Sequence, residues 1–273
     1  MRQFKAALII QFGRITEISM KITTLYVLFC ALVPLMSIPA FCQTLESGNQ
    51  QIQLIELYTS EGCSSCPAAD RWMTGLLNDP DLWTRFVPVA FHVDYWDSLG
   101  WPDAFAKPEF SQRQRIYQLQ RNIATVYTPG FVVQGKEWRG WFRNFERPSN
   151  PKQIVGNLSV KLSESRAQVT FHPENSIENG TLYFTRLGFG YERKISRGEN
   201  AGKILKEDFI VLDFHQKPVS LENNQLSAEF ELNRPETEPG IKLAAAAWIS
   251  TQRNQSPMQA VGGWLSNRPR EAN

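Results

Sequence analysis

SEGCSSCPAAD, Ser60 to Asp70, sets two thiols three positions apart, with a proline directly after the second. Upstream, QIQLIELYTS (residues 51–60) is an apolar run bounded by polar residues, the pattern of a buried strand. Downstream, Ala69, Trp72, Met73, Leu76 and Leu77 recur at the period of a helix with one buried face, and Asn78-Asp79-Pro80 stops it. The cysteines therefore stand at a strand-to-helix junction.

The pattern continues along the chain. RFVPVAFHVDYW (85–96) reads as a second strand. EFSQRQRIYQLQRNI (109–123) reads as a second helix, with Pro108 in its first turn, Ile116, Leu119 and Ile123 on its apolar side, and Arg113, Arg115 and Arg121 on a solvated one. Strand, helix, strand, helix implies parallel pairing. TPGFVVQGKEWRGW (128–141) reads as a hairpin around Gln134-Gly135, and a short helix over 152–158 is expected to close the unit. From about residue 163 the character changes. RAQVTFHP, TLYFTRLGFGYERKI, EDFIVLDFH, NQLSAEFEL, IKLAAAAWIS and MQAVGGWLS are short runs between turn residues, the pattern of a small antiparallel sandwich.

Ahead of these elements, MKITTLYVLFCALVPLMSIPAFCQ (20–43) has a secretory layout. Lys21 supplies the positive end, residues 23–38 the apolar stretch, and Pro39, Ala40 and Cys42 the small residues near a cleavage site. The expectation is a leader and signal peptide over 1–42 and export to a bacterial periplasm, with no membrane span in the mature chain. Residues 1–42 carry Arg2, Lys5, Arg14 and Lys21 against Glu17, so without them the formal charge of +2 becomes −1. No basic excess is left to recruit nucleic acid. Of the four cysteines, Cys30 lies in the apolar stretch and Cys42 at its edge, which leaves Cys63 and Cys66 in an oxidising compartment.

The pair admits three readings. A zinc site needs four ligands, and His92, His172 and His215 are widely scattered. A structural staple across so short a loop constrains little of the unfolded chain. A redox pair gains from position, because unpaired N–H groups and the helix dipole at the junction favour a thiolate on Cys63. Cys63 is then the nucleophile and Cys66, about one turn later, the resolving thiol.

This order of elements, with Thr128-Pro129 leading into a hairpin, resembles the thioredoxin fold. ELYTSEGCSSCPAADRW, HVDYWDSLGWPDAF, YTPGFVVQGKEWRGW and RGENAGKILKEDFIV are similar to a bacterial family of exported thioredoxin-like proteins catalogued as domain of unknown function 1223. The resemblance implies an α/β thioredoxin-like N-terminal domain over 50–162, followed by a smaller β-rich, sandwich-like C-terminal domain over 163–273. It makes Pro129 a cis-proline and Thr128 the residue whose backbone pairs with a substrate peptide. It departs from thioredoxin at Gly62, where a tryptophan is usual, and at Ser64-Ser65, where glycine-proline is usual, so no redox potential carries over.

The expected activity is thiol–disulfide exchange with protein or peptide thiols and disulfides, served by a redox recycling partner and needing no organic cofactor. Glu56 and Asp94 are candidates to relay the Cys66 proton, with His92 on the same strand as Asp94. Trp96, Trp101, Trp138 and Trp141 are either core or an apolar rim for unfolded peptide. One rival is Cu(I) handling by Cys63, Cys66 and His92, since a soft ion suits sulfur ligands. A second is a non-enzymatic envelope interaction protein in which the disulfide only steadies a loop.

Overall fold

The computed structural model describes residues 43–142, 148–149, 152–233 and 237–266. The expected leader and signal peptide, with Cys30 and Cys42, lie outside the described residues. In chain order the first half supplies β1 (Gln43–Glu46), β2 (Gln53–Thr59), helix α1 (Cys66–Gly75), β3 (Phe86–His92), helix α2 (Pro108–Leu119), β4 (Gly130–Val133) and β5 (Lys136–Trp138). The second half supplies β6 (Gly156–Leu162), β7 (Arg166–Pro173), β8 (Asn179–Phe189), β9 (Tyr191–Lys194), β10 (Ile204–Glu207) and β11 (Ile210–Val211). It ends with β12 (His215–Ser220), β13 (Leu226–Glu231), β14 (Lys242–Thr251) and β15 (Pro257–Trp264).

These strands form three sheets. The largest runs β15-β14-β8-β11-β3-β2-β4-β5, with β12 also on β8. β3 is parallel to both β2 and β11, and the other pairs are antiparallel. A second sheet runs β1-β6-β7-β13, and β9 and β10 make a separate hairpin.

Strand β14 shows why the large sheet is built this way. Ala244, Ala246 and Trp248 enter one apolar core with α1 and the first-half strands, whereas Ala245, Ala247 and Ile249 enter another with β6, β7 and β13. Period-two alternation sends successive side chains to opposite faces, and both faces are covered, so the strand reads as an unbroken apolar run. β8 divides in the same way, with Tyr183 and Leu187 in the first core and Leu182 and Phe184 in the second.

The α/β thioredoxin-like domain followed by a smaller β-rich domain is therefore corrected. The described chain is mostly β, and strands from both halves hydrogen-bond in one sheet through the pairing of Ile210 in β11 with Ala90 in β3. Local alternation identifies strands but not their partners, and β3 left an edge that β11 covers. The position near 163 falls in the hairpin between β6 and β7.

Two local expectations also change. Residues 156–162 form strand β6 where a helix over 152–158 was expected. Helix α2 buries Phe110, Ser111, Arg113, Gln114 and Tyr117, while Leu119 is 78% exposed. Its inward face follows a buried ion pair described below, not the aliphatic residues that periodicity selected.

Candidate functional site

After β2 the chain turns at Ser60–Cys63, with the Cys63 N–H donating to Ser60 O at 3.1 Å and the Cys66 N–H to Cys63 O at 3.2 Å. Cys66 opens α1 with Pro67 in the first turn, where no intrahelical N–H is needed. The two cysteines are joined in a disulfide and both are buried, whereas Ser64 and Ser65 between them are exposed. Ser65 Oγ lies 3.4 Å from Cys63 Sγ. Gly62 fits a close approach, since a Cβ there would stand 3.2 Å from Trp96 Cβ.

Beneath this turn lies a cluster of buried charged groups, of which sequence reasoning singled out only His92. Thr59 Oγ1 donates to Asp70 Oδ1 at 2.8 Å, and Asp70 sits one helical turn beyond Cys66, on the same face of α1. His92, opposite Thr59 in the β2–β3 register, makes a 2.7 Å contact from Nδ1 to Asp103 Oδ2, which also accepts the Glu61 N–H at 2.8 Å. Glu61 accepts from the Trp101 indole at 2.6 Å and from Arg193 Nε at 3.2 Å. Glu207, at the end of β10, is 3% exposed and neither carboxylate oxygen has a hydrogen-bond partner among the described residues.

Carboxyls outnumber cations here, and their proton affinities follow. Burial pushes Asp70 up to about 7, lifts Glu61, and holds Glu207 well above the ordinary carboxylate range. For His92, burial works against the charge, but the Asp103 carboxylate outweighs it and raises the imidazolium to about 10. Asp103 is the counterpart: burial opposes its charge, His92 and two backbone N–H groups more than compensate, and it stays below its usual value. The result is two ion pairs, His92–Asp103 and Arg193–Glu61, flanked by Asp70 and Glu207, whose proton affinities are raised.

The candidate relay residues lie elsewhere. Glu56 is fully buried on the opposite face of β2 from Thr59, as a three-residue separation on a strand requires. It accepts from Arg113 Nε at 2.7 Å, Arg113 Nη2 at 3.1 Å and Tyr58 OH at 2.9 Å, with Tyr117 OH as a fourth donor. Arg113 is thus a core cation, stacked among Phe91, Tyr183 and Trp248, and not a solvated one. Asp94 pairs with the Ser111 hydroxyl at the start of α2.

The Thr128–Pro129 peptide bond is cis, and Trp96 links it to the cysteine turn by donating from Nε1 to Thr128 Oγ1 at 2.7 Å while its Cβ packs beside Gly62. The tryptophans do not form one rim. Trp138 and Trp141 pack on Phe131, and Trp101 serves Glu61. For the copper alternative, no group of three or more His, Cys, Asp or Glu among the described residues is placed to hold a metal ion. No helix among the described residues is long and apolar enough to cross a membrane.

The turn between β9 and β10 completes the site. Asn200, wholly buried, donates from Nδ2 to Glu61 O at 2.8 Å and to Cys63 O at 2.9 Å, and its Oδ1 accepts from Lys203 Nζ. Beside it, Glu199 Oε2 accepts the Ser64 N–H at 3.0 Å. A segment more than a hundred residues away in sequence therefore grips the cysteine turn from both sides.

Residues 54–250 match the family described as "Protein of unknown function (DUF1223)". The chain belongs to that family. The match takes in the cysteine turn, the buried carboxyls and the β9–β10 turn alike, so the whole site lies within the family's extent. Two solved structures are similar over most of the chain. An X-ray crystal structure of an Agrobacterium tumefaciens protein is 19% identical, with a TM-score of 0.54, covering 81% of this chain and 97% of that one. HBP35 of Porphyromonas gingivalis is 15% identical, with a TM-score of 0.55, covering 83% and 79%. At these identities the likeness concerns the fold alone. No curated protein matches the chain.

Proposed function

We propose that this DUF1223 protein is an exported thiol–disulfide oxidoreductase. The observation that carries the reading is the juxtaposition of the Cys63–Cys66 disulfide with a proton-holding carboxyl, Asp70, one turn beyond Cys66. Asp94 and Glu56 are engaged by Ser111 and Arg113, so the relay passes to Asp70. The secretory layout of residues 20–43 supports an oxidising compartment in which such a pair cycles.

In the oxidising direction for the enzyme, the Cys63 thiolate attacks one sulfur of a substrate disulfide. A Cys63–substrate bond forms, the substrate S–S bond breaks, and its other sulfur leaves as a thiolate. The Cys66 thiol then loses its proton to Asp70 and attacks Cys63 Sγ, which releases the second substrate thiolate and restores the disulfide. Two electrons pass to the substrate, and a dithiol recycling partner returns them. The reverse sequence oxidises a substrate dithiol. Thr128 and Pro129, tied to the turn through Trp96, are the residues against which an extended peptide would lie.

The test is thiol trapping of the purified chain across a glutathione series, with a disulfide peptide as substrate. Reversible exchange is expected, Cys66→Ser should accumulate a mixed disulfide, and Cys63→Ser should form none. A pair that neither exchanges nor titrates overturns the reading.

A further inference from the structure

The β9–β10 turn brings a carboxylate to the one backbone amide next to the proposed nucleophile. Ser64 N–H belongs to the junction whose free amides would favour an anion on Cys63, and Glu199 Oε2 takes that amide at 3.0 Å. Ser65 Oγ, 3.4 Å from Cys63 Sγ, acts in the opposite sense, because its hydroxyl can donate to a thiolate. Asn200 fixes the arrangement by holding the carbonyls of Glu61 and Cys63. The other charged groups facing the turn are Glu61, Asp70, Arg193 and Lys203, with His92, Asp103 and Glu207 beneath it. Arg193 is engaged by Glu61 and Lys203 by Asn200.

We propose that Glu199 is a positioning residue that sets the redox poise of the Cys63–Cys66 pair, by withholding the Ser64 amide from the Cys63 thiolate and placing a negative charge beside it. This rests on the exchange reading above. The Ser64 hydroxyl, and after it the Ser64 amide, hold Glu199 below the ordinary glutamate range, so the charge is in place at neutral pH. A destabilised thiolate makes the dithiol the better reductant. Removing Glu199 therefore makes the Cys63 thiol more acidic and the disulfide easier to reduce, in the balanced exchange of one protein disulfide and two glutathiones for one dithiol and one glutathione disulfide.

Glu199→Gln removes the charge and keeps an acceptor for the Ser64 N–H; Glu199→Ala removes both. The full chain and both variants are equilibrated with glutathione, and the chemically reduced forms are titrated by thiolate absorbance at low and high salt. The expected result is an equilibrium shifted toward the dithiol by about three- to tenfold in both variants, a lower Cys63 thiol pKa, and a smaller effect for Glu199→Gln at high salt. A shift confined to Glu199→Ala supports the proposal through the amide alone. Wild-type exchange with neither variant shifted, or with a shift toward the disulfide, overturns it and leaves the exchange reading standing. If the wild type does not exchange, the exchange reading falls, and the thiolate titration alone decides whether Glu199 acts on Cys63.

Discussion

Strand β2 separates two buried charged clusters that obey different rules. On the α2 face, Glu56 meets Arg113, Tyr58 and Tyr117, and each carboxylate oxygen has two donors. On the α1 face, Glu61, Asp70, Asp103 and Glu207 are paired among the described residues with His92 and the half-buried Arg193, and Glu207 has no hydrogen-bond partner among them. The first cluster balances its charges and holds the fold together. The second is short of cations, so it stores protons, and it lies under the disulfide. Burial with full compensation keeps a carboxylate ionised; burial without enough of it raises the carboxyl's proton affinity.

The largest effect should come from unbalancing the first cluster. Glu56→Ala leaves Arg113 charged and unpaired among aromatic rings, and should cost about 3–5 kcal/mol by urea unfolding, with loss of folding at the upper end. An exposed pair such as Arg166–Glu229 should cost under about 1 kcal/mol in the same assay.

The second cluster should instead show itself in rates. Asp70→Asn keeps an acceptor for Thr59 but removes the base, so release of the mixed disulfide by Cys66 should slow about 100-fold, measured by stopped-flow decay of a peptide–Cys63 adduct. Unchanged release would return Asp70 to a purely structural role.

Stability against pH separates the clusters further. Asp70 and Glu207 bind protons more tightly folded than unfolded, so their contribution is fully present below about pH 4 and is lost as pH rises, for Asp70 through about 7. His92 has the same sign: its contribution is present below its unfolded value near 6.5 and is lost as pH rises through about 10. Asp103 works in reverse and loses its contribution only in stronger acid. Thermal unfolding should therefore give greatest stability in mild acid. Asp70→Asn with Glu207→Gln should flatten the decline up to neutrality by on the order of 2 kcal/mol. A maximum at neutral pH in the wild type would contradict the surplus of carboxyls.

The smallest effect concerns the edge of the second cluster. Ser65→Ala should raise the Cys63 thiol pKa by well under one unit, about 1 kcal/mol or less, in a thiolate absorbance titration. Its sign is opposite to that expected at Glu199, so the two substitutions together should nearly cancel.

Much of the local structure was legible in the sequence. The strand at 51–60, the hairpin around Gln134-Gly135 and most of the second-half strands are where alternation and turn residues put them. Cys63 and Cys66 were legible as a candidate pair because no other thiols remain once residues 1–42 are set aside. The apolar side of α2 was misread, because Arg113 looks like any surface arginine until Glu56 is placed opposite it. Glu61 and Asp70 stood inside the opening stretch SEGCSSCPAAD without announcing themselves, since their proton affinities depend on burial in the folded core and on His92 and Asp103, distant in the chain.

The sequence by itself determined the thiol pair, its place between a strand and a helix, and the period of most strands, since these depend on neighbours a few positions apart. Only the tertiary structure decided that the two halves share one sheet, that Glu56 and Asp70 fall on opposite faces of β2, and that Glu199 and Asn200 grip the cysteine turn. Strand pairing and charge compensation depend on which groups meet across tens of residues to more than a hundred, and local pattern carries no record of that meeting.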